Sequence, residues 1–303
     1  MKNKTILVTG ASGFIGHNFC ISAKNKGYEV IALSRNKIYA ETRLKGIKVI
    51  ESLDELSSTK KINFVLNLAG ESLVSGRWNG TLKQKFINSR LDVTNKLFKY
   101  FNTTNNFPEV VISGSAVGYY GPQGDSLIDE ESSHNDSYTN HLCTLWEKHA
   151  SKFIHLGSRV CCLRIGIVLG EGEGALKRMI PPFKFGLGGK LGTGKQWFPW
   201  IHINDQVDLI FHCLEHQEIS GAVNSCSPNP ITNLEFTREL GRVLSRPVFL
   251  SMPSFIATII FGEMANELLL KGQRVVPKKV LNTGFNFTYS HIDQALENIL
   301  TST

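Results

Sequence analysis

The stretch TILVTGASGFIG, residues 5–16, decides the fold. Its first half, Thr5–Thr9, is a short β-rich run, nearly continuous in apolar residues, as a strand covered on both faces must be. Its second half sets glycines at positions 10, 13 and 16, ahead of a helical pattern over Phe14–Asn25. Gly10 permits the tight turn, Gly13 lets the backbone approach a pyrophosphate, and Gly16 lets the helix pack close to the sheet. The N-terminus of such a helix offers free N–H groups and the positive end of its dipole to phosphate. A strand, a glycine turn and an amphipathic helix in that order point to dinucleotide binding. The alternative is a tight strand–helix turn with nothing bound.

Outward from that stretch the same alternation repeats. Strand candidates are Thr5–Thr9, Glu29–Leu33, Lys48–Ile50, Phe64–Leu68, Val110–Ser113 and Arg159–Ile165. Helical patterns lie between them, over Phe14–Asn25, Leu82–Phe101 and Asn140–Ile154. Repeated β-α-β order argues for an α/β chain with a parallel sheet and helices on both faces, a Rossmann-type doubly wound sheet. After Gly166 the texture changes: residues 170–194 are glycine-rich and read as a long loop around a short helix. Asp205–Leu214 is helical, Gly221–Cys226 reads as one more strand, and Ser227–Pro230 breaks the chain. From Asn233 to Leu300 a smaller, mainly helical region follows. The expected division is therefore a dinucleotide-binding domain over 1–228, with 170–199 an excursion over its cleft, and a substrate-side C-terminal domain over 229–303.

At 303 residues and 42% hydrophobic composition, the chain can bury a large core and is not a disordered one. The net charge of +7 is spread over scattered basic residues with no nucleic-acid arm, so a nucleic-acid partner is not expected. Six cysteines include no CxxC pair, and most sit among apolar neighbours, which is reduced, intracellular usage and no metal site. The N-terminal MKNKTILVTG reads as a strand rather than a secretory signal, and the longest apolar run, Phe255–Phe261, is too short to span a membrane. A cytoplasmic protein with no membrane partner is expected.

The second strand ends at Ser34 and Arg35, where an NAD site would place Asp or Glu to hold the ribose 2′-hydroxyl. Arg35, helped by Ser34, suits a 2′-phosphate instead, so NADP(H) is the expected cofactor. The competing reading is a solvated loop arginine. The fourth strand ends at NLAGES, residues 67–72, whose small residues let a strand end lie flat beside a cofactor ribose, or simply leave the sheet.

TGASGFIG, NLAG and SGSAVGYYG (113–121) together resemble the extended short-chain dehydrogenase/reductase superfamily, to which nucleotide-sugar epimerases belong, and WIHINDQVD (200–208) is similar to its later signature segment. More closely, NLAGES, NSRLDVT, PPFKFGLGG, FPWIHIND and GQRVVPKK resemble an atypical epimerase-family branch, under an old label cell-division-inhibitor-like, that carries a C-terminal domain of unknown function. That resemblance covers essentially the whole chain. It implies the Rossmann fold and NADP(H) held by Gly10, Ser12, Gly13, Phe14, Ile15, Gly16, Ser34, Arg35, Leu68, Ala69, Gly70, Arg90, Ser113, Cys143 and Val168. It also implies an oxidoreductase or a sugar-nucleotide-type epimerase acting on an unidentified small molecule.

In the superfamily a serine after the fifth strand binds the substrate oxygen, and Ser115 matches it. A Tyr-x-x-x-Lys pair on the next helix moves the proton, with a glutamate four residues after the lysine. Counting back from Glu147 puts Cys143 at the lysine place and Thr139 at the tyrosine place, so the usual pair is absent. A threonine hydroxyl is a poor proton donor and a thiol carries no fixed positive charge. Leu142, Leu145, Trp146, His149, Ala150 and Phe153 also form a helical packing stripe. The helix is thus expected to pack and to touch the cofactor rather than to transfer protons, with Thr139 and Cys143 lining the nicotinamide side of the cleft. Tyr119 is the candidate replacement donor. Glu71, Trp200 and His202 are assigned to the substrate side, although a histidine beside a sheet often serves as scaffold. Arg90 stands where the superfamily has an asparagine, and binds an anion or is an exposed helix arginine. Helices 82–101 and 140–154 resemble the pair that joins subunits into homodimers. Against the enzyme reading stands a non-catalytic NADP(H)-binding or redox-sensing protein.

Overall fold

The computed structural model describes residues 4–57 and 59–301. The first half of the chain builds β1 (Thr5–Thr9), α1 (Phe14–Asn25), β2 (Glu29–Leu33), α2 (Lys37–Arg43), β3 (Lys48–Ile50), β4 (Phe64–Asn67), α3 (Gly80–Thr104), β5 (Val110–Ala116), β6 (Leu127–Ile128) and α4 (Tyr138–Ala150). The second half adds β7 (Arg159–Ile165), β8 (Ile167–Leu169), α5 (Gly174–Lys184), β9 (Gly189–Leu191), β10 (Trp197–Phe198), β11 (Trp200–His202), α6 (Ile203–Glu215) and β12 (Gly221–Ser225). It ends with β13 (Ile231–Thr232), α7 (Asn233–Val243), β14 (Leu250–Met252), α8 (Ser254–Phe261), β15 (Arg274–Val275), α9 (Lys278–Asn282) and α10 (Ile292–Thr301).

Seven strands form one sheet in the order β12-β7-β5-β4-β1-β2-β3, and every pairing in it is parallel. Side chains alternate across it as strand geometry requires. Ile6 and Val8 point to one face, into a core with Phe19 and Cys20 of α1 and Leu209 and Ile210 of α6. Leu7 points to the other, with Leu97 and Phe101 of α3 and Phe153 after α4. Both faces are covered, which is why these strands read as apolar runs. A third core joins Leu176 and Phe183 of α5 to Phe198, Trp200, Phe236 of α7 and Leu296 of α10. Among the described residues no helix is long and apolar enough to cross a membrane.

The expected strand over Phe64–Leu68 ends at Asn67, and the one over Val110–Ser113 runs on to Ala116. Serine 137 caps α4 by accepting from the Asn140 N–H, so that helix starts two residues before the expected Asn140 and gives way to a tight 3-10 turn after Ala150. The C-terminal region is less helical than expected. β14 pairs with β9 and β15 pairs with β6, so it is stitched to the first domain by short parallel ladders.

Candidate active site

β1 lies between β2 and β4, so the winding direction of the sheet reverses there and a crevice opens beyond the strand ends. Gly10 turns the chain out of β1 with φ +67°, and a Cβ on it would lie 2.7 Å from the carbonyl carbon of Leu68. A Cβ on Gly16 would lie 2.3 Å from the Gly10 oxygen. Both positions therefore require glycine, one for its left-handed turn and both for backbone-to-backbone approach. Exposed Gly13 sits at the N-terminus of α1 with no side chain capping it, so the helix end is open to an anion. Thr9 Oγ1 donates to Asn67 Oδ1 at 2.6 Å and accepts from the Ala69 N–H at 3.2 Å, while Asn67 Nδ2 donates to Thr94 Oγ1 at 2.8 Å. These bonds hold Leu68, Ala69 and Gly70 against the glycine turn. The residues fit a dinucleotide: a bare helix N-terminus faces a strand end with no bulky side chain.

Around that crevice Ser12, Phe14 and Ile15 are half-buried. The Phe14 ring packs where Cβ atoms on Gly170 and Gly174 would clash at 2.6 Å and 3.1 Å, so the glycine-rich excursion crosses the start of α1. An Arg43–Glu173 ion pair ties α2 to the head of α5 on the same side. Val168 is buried in the core beneath. Arg35 is exposed beyond the end of β2, and Ser34 Oγ bonds the Asn36 carbonyl.

Arg90 is 9% exposed, not a surface arginine. Its Nη1 donates to the Phe86 carbonyl at 2.9 Å, its guanidinium lies 5.0 Å from the Trp146 ring centroid, and its Nε has no hydrogen-bond partner among the described residues. A Cβ on Gly70 would lie 2.9 Å from its Cζ. Burial lowers its pKa, and none of the described ion pairs includes it. A buried cation with an orphaned donor beside the NLAG turn is suited to an anionic or carbonyl ligand.

At the end of β5, Ser115 Oγ donates to Glu147 Oε1 at 2.7 Å. Glu147, on α4, is gripped by two parallel bonds from Arg164 on β7, Nε to Oε1 and Nη2 to Oε2, both 3.0 Å. Arg164 Nη1 donates to Tyr120 Oη at 3.0 Å, and Tyr120 donates to Asn224 Oδ1 on β12 at 2.7 Å. The guanidinium also lies 3.4 Å from the Tyr119 ring centroid. Burial opposes the charge on Arg164, but Glu147 and Tyr120 outweigh it and raise its pKa. Burial pushes the Tyr120 hydroxyl up to about 12. A continuous polar chain thus runs across the ends of β5, β7 and β12, with a fixed cation at its centre.

The two residues in the places of the usual pair are both buried. Thr139 is 4% exposed, and both its N–H and its Oγ1 donate to Glu267 Oε2, at 3.1 and 2.9 Å. Cys143 is 3% exposed, and burial, with the nearby Glu147 charge, pushes its thiol up to about 11. Packing therefore replaces the expected cleft-lining role of Thr139, whereas the Cys143 thiol lies beside Ser115 and the Ala116 backbone. Ser113 is fully buried inside β5 with its Oγ donating to the Gly114 carbonyl. Trp200, at 1% exposure, fills the third core, and His202, at 2%, caps α6 by accepting from the Asn204 N–H and stacks on Tyr289. Burial holds the His202 imidazole down to about 4. The assignment of Trp200 and His202 to the substrate side is corrected accordingly: both are scaffold. Glu71 stays at the rim, 3.1 Å from Lys85 Nζ, and Tyr119 is half-buried with its ring edge toward His134.

Sequence reasoning used Glu147 only to set a register and missed Arg164, Asn224 and Glu267. One signal was present for Arg164. It lies within an apolar strand expected to be covered on both faces, and a charge there demands a partner.

A family model described as "NAD dependent epimerase/dehydratase family" matches residues 6–225, and one described as "Domain of unknown function (DUF1731)" matches residues 252–299. The chain is 36% identical to "Epimerase family protein YfhF" of Bacillus subtilis (strain 168), covering 97% of each. It is 34% identical to "Epimerase family protein SDR39U1" of Homo sapiens, over 97% of this chain and 99% of that protein. The crystal structure of the human protein (isoform2) with NADPH superposes with a TM-score of 0.89 at 33% identity, covering 99% of this chain and 100% of that one. A UDP-glucuronic acid 4-epimerase from Bacillus cereus shares the fold, with a TM-score of 0.77 at 18% identity over 97% of both chains.

Proposed function

The chain belongs to the NAD-dependent epimerase/dehydratase family, and from that premise we propose that it is an NADP(H)-dependent oxidoreductase or epimerase whose proton chemistry runs through Ser115 and Tyr119 rather than a Tyr-x-x-x-Lys pair. Bound NADP(H) supplies a hydride donor or acceptor at its nicotinamide. The open N-terminus of α1 holds the pyrophosphate, Arg35 with Ser34 pairs the 2′-phosphate, and the backbone of Leu68–Gly70 lies along a ribose. The NADPH in the human relative's crystal structure supports NADP(H) as the cofactor. Arg90, buried and in no ion pair among the described residues, binds an anionic or carbonyl oxygen of cofactor or substrate.

The observation that carries the catalytic reading is the Ser115–Glu147–Arg164 chain. Glu147 takes the Ser115 proton in its hydrogen bond, which turns the Ser115 lone pairs toward a substrate hydroxyl. Arg164 keeps a fixed positive charge against the Tyr119 ring, the part a lysine plays beside the usual tyrosine. Tyr119 Oη then gives or takes the substrate proton. Thr139 and Cys143 take no part.

Ser115→Ala and Tyr119→Phe test this with a panel of aldehydes, ketones and nucleotide sugars, following NADPH oxidation and sugar interconversion. The expected result is unchanged NADPH affinity and a loss of turnover of about a hundredfold or more, the usual share of a positioned acid or base. Wild-type turnover in both variants overturns the assignment. A second reading, a non-catalytic NADP(H) sensor, has one observation behind it: Thr139 is tied to Glu267 of the C-terminal domain, so the helix at the cleft serves to join domains. Absence of turnover across the panel, with tight NADPH binding, favours that reading.

A further inference from the structure

Most of the large apolar side chains that stand in solvent are gathered on one side of the C-terminal domain. Phe249 is 90% exposed, Phe185 80%, Phe255 and Ile259 66%, Leu187 64% and Ile260 52%. They are neighbours through the backbone. β9 pairs with β14 in the register Gly189 to Leu250, which brings the Phe185–Leu187 turn beside Phe249. Arg246 Nε donates to the Lys184 carbonyl at 3.1 Å and fastens the same two segments. α8 follows at once, with its first residue, Ser254, against Gly192. That helix is inverted for a soluble domain: Phe255, Ile256, Ile259 and Ile260 face solvent and Ala257 faces the protein.

The charge around this face is one-sided. Residues 174–195 and 246–262 contain Lys177, Arg178, Lys184, Lys190, Lys195 and Arg246 and no aspartate or glutamate. None of these six is in an ion pair among the described residues. An outward apolar helix face with six basic residues on its two segments, and with the next carboxylate, Glu263, paired to Lys83, is the composition of a segment that lies in a lipid–water interface.

We propose that this face docks on the surface of an anionic lipid bilayer, with Phe185, Phe249 and α8 entering the acyl boundary and the basic residues meeting lipid phosphates. Lying on a bilayer is a different requirement from crossing one, so the shortness of the apolar run at 255–261 does not oppose it. A second copy of the chain fits less well. A two-fold contact sets a patch against itself, and here it would set six basic residues against the same six. Side chains that stand 80–90% clear of the protein also match a deformable acyl layer, which needs no complementary pocket. The segment after α8 is fastened to α3 and α4, because Glu263 pairs with Lys83 and Glu267 with Thr139.

Co-sedimentation of the full chain with phosphatidylcholine vesicles, with and without phosphatidylglycerol, tests the proposal. Expected is binding to the anionic vesicles, at least about tenfold tighter than to phosphatidylcholine alone and weakened by salt. Lys184→Glu with Arg246→Glu loses that binding by more than about tenfold, given about fivefold per charge. Phe249→Ser with Phe255→Ser and Ile259→Ser also abolishes it, with NADPH affinity and unfolding midpoint unchanged. No wild-type binding to anionic vesicles at low salt, or equal binding to both kinds, overturns the proposal whatever the variants do. A wild-type dimer in sedimentation equilibrium that the serine variant dissociates assigns the face to a second copy and overturns it too.

Discussion

Arg35 stands exposed beyond β2, where a carboxylate would have selected NAD. Because it pairs with a 2′-phosphate in the proposed site, Arg35→Ala is expected to weaken NADPH binding by about 1.5–3 kcal/mol, the range for charge-assisted hydrogen bonds, and to leave NADH nearly untouched. Titration calorimetry with both cofactors reads the difference, and equal losses for the two would remove the phosphate clamp. Arg164 is the residue on which the site's polar chain depends. Its pair with Glu147 leaves only 5% and 14% of the two side chains exposed, so Arg164→Met strands a buried carboxylate. The expected destabilisation in urea unfolding is about 3–5 kcal/mol. A loss under about 1 kcal/mol would mean that Glu147 finds water. These residues differ in how far the sequence reveals them. Arg35 is legible because a strand end is a fixed place with a known chemical choice. The Glu147–Arg164 pair joins a helix to a strand, and no local pattern states which carboxylate answers a buried arginine.

At the scale of elements, β1, β2, β3 and β7 have the limits that their apolar runs suggest, because burial on both faces leaves little room for polar residues inside a strand. β8 and β11 were missed, since two three-residue strands that pair across 33 positions carry no periodicity of their own. The glycine turn before α1 is legible for the opposite reason: its geometry excludes every side chain. Gly16→Ala drives a methyl into the Gly10 carbonyl, so it is expected to cost about 1–3 kcal/mol of stability and to abolish cofactor binding. Full NADPH affinity in that variant would contradict the close approach. His202, at the head of α6, gives the fold an acid-sensitive element. Its imidazole stays neutral down to about 4 in the folded protein, against an ordinary value of 6.5. The unfolded chain therefore binds the proton first as pH falls, and His202 contributes stability that is present above about 6.5 and lost progressively toward 4. His202→Asn keeps a side chain able to cap α6 and is expected to flatten that part of the stability–pH profile. An unchanged slope would show that other groups, such as half-buried His17, carry it.

At the scale of the whole molecule, the glycine turn after β1 and the polar chain at the end of β5 belong to one parallel sheet. The Ser115–Glu147–Arg164 chain lies at the end of β5, separated from β1 by β4 alone. The account therefore requires one ligand to span both features. A crystal structure of the chain with NADPH measures this most directly. The account predicts the pyrophosphate on the N–H groups at Phe14 and Ile15, the 2′-phosphate at Arg35, and the nicotinamide on the Ser115 side of the crevice, within reach of Tyr119. A nicotinamide directed away from Ser115, or a 2′-phosphate remote from Arg35, would contradict it.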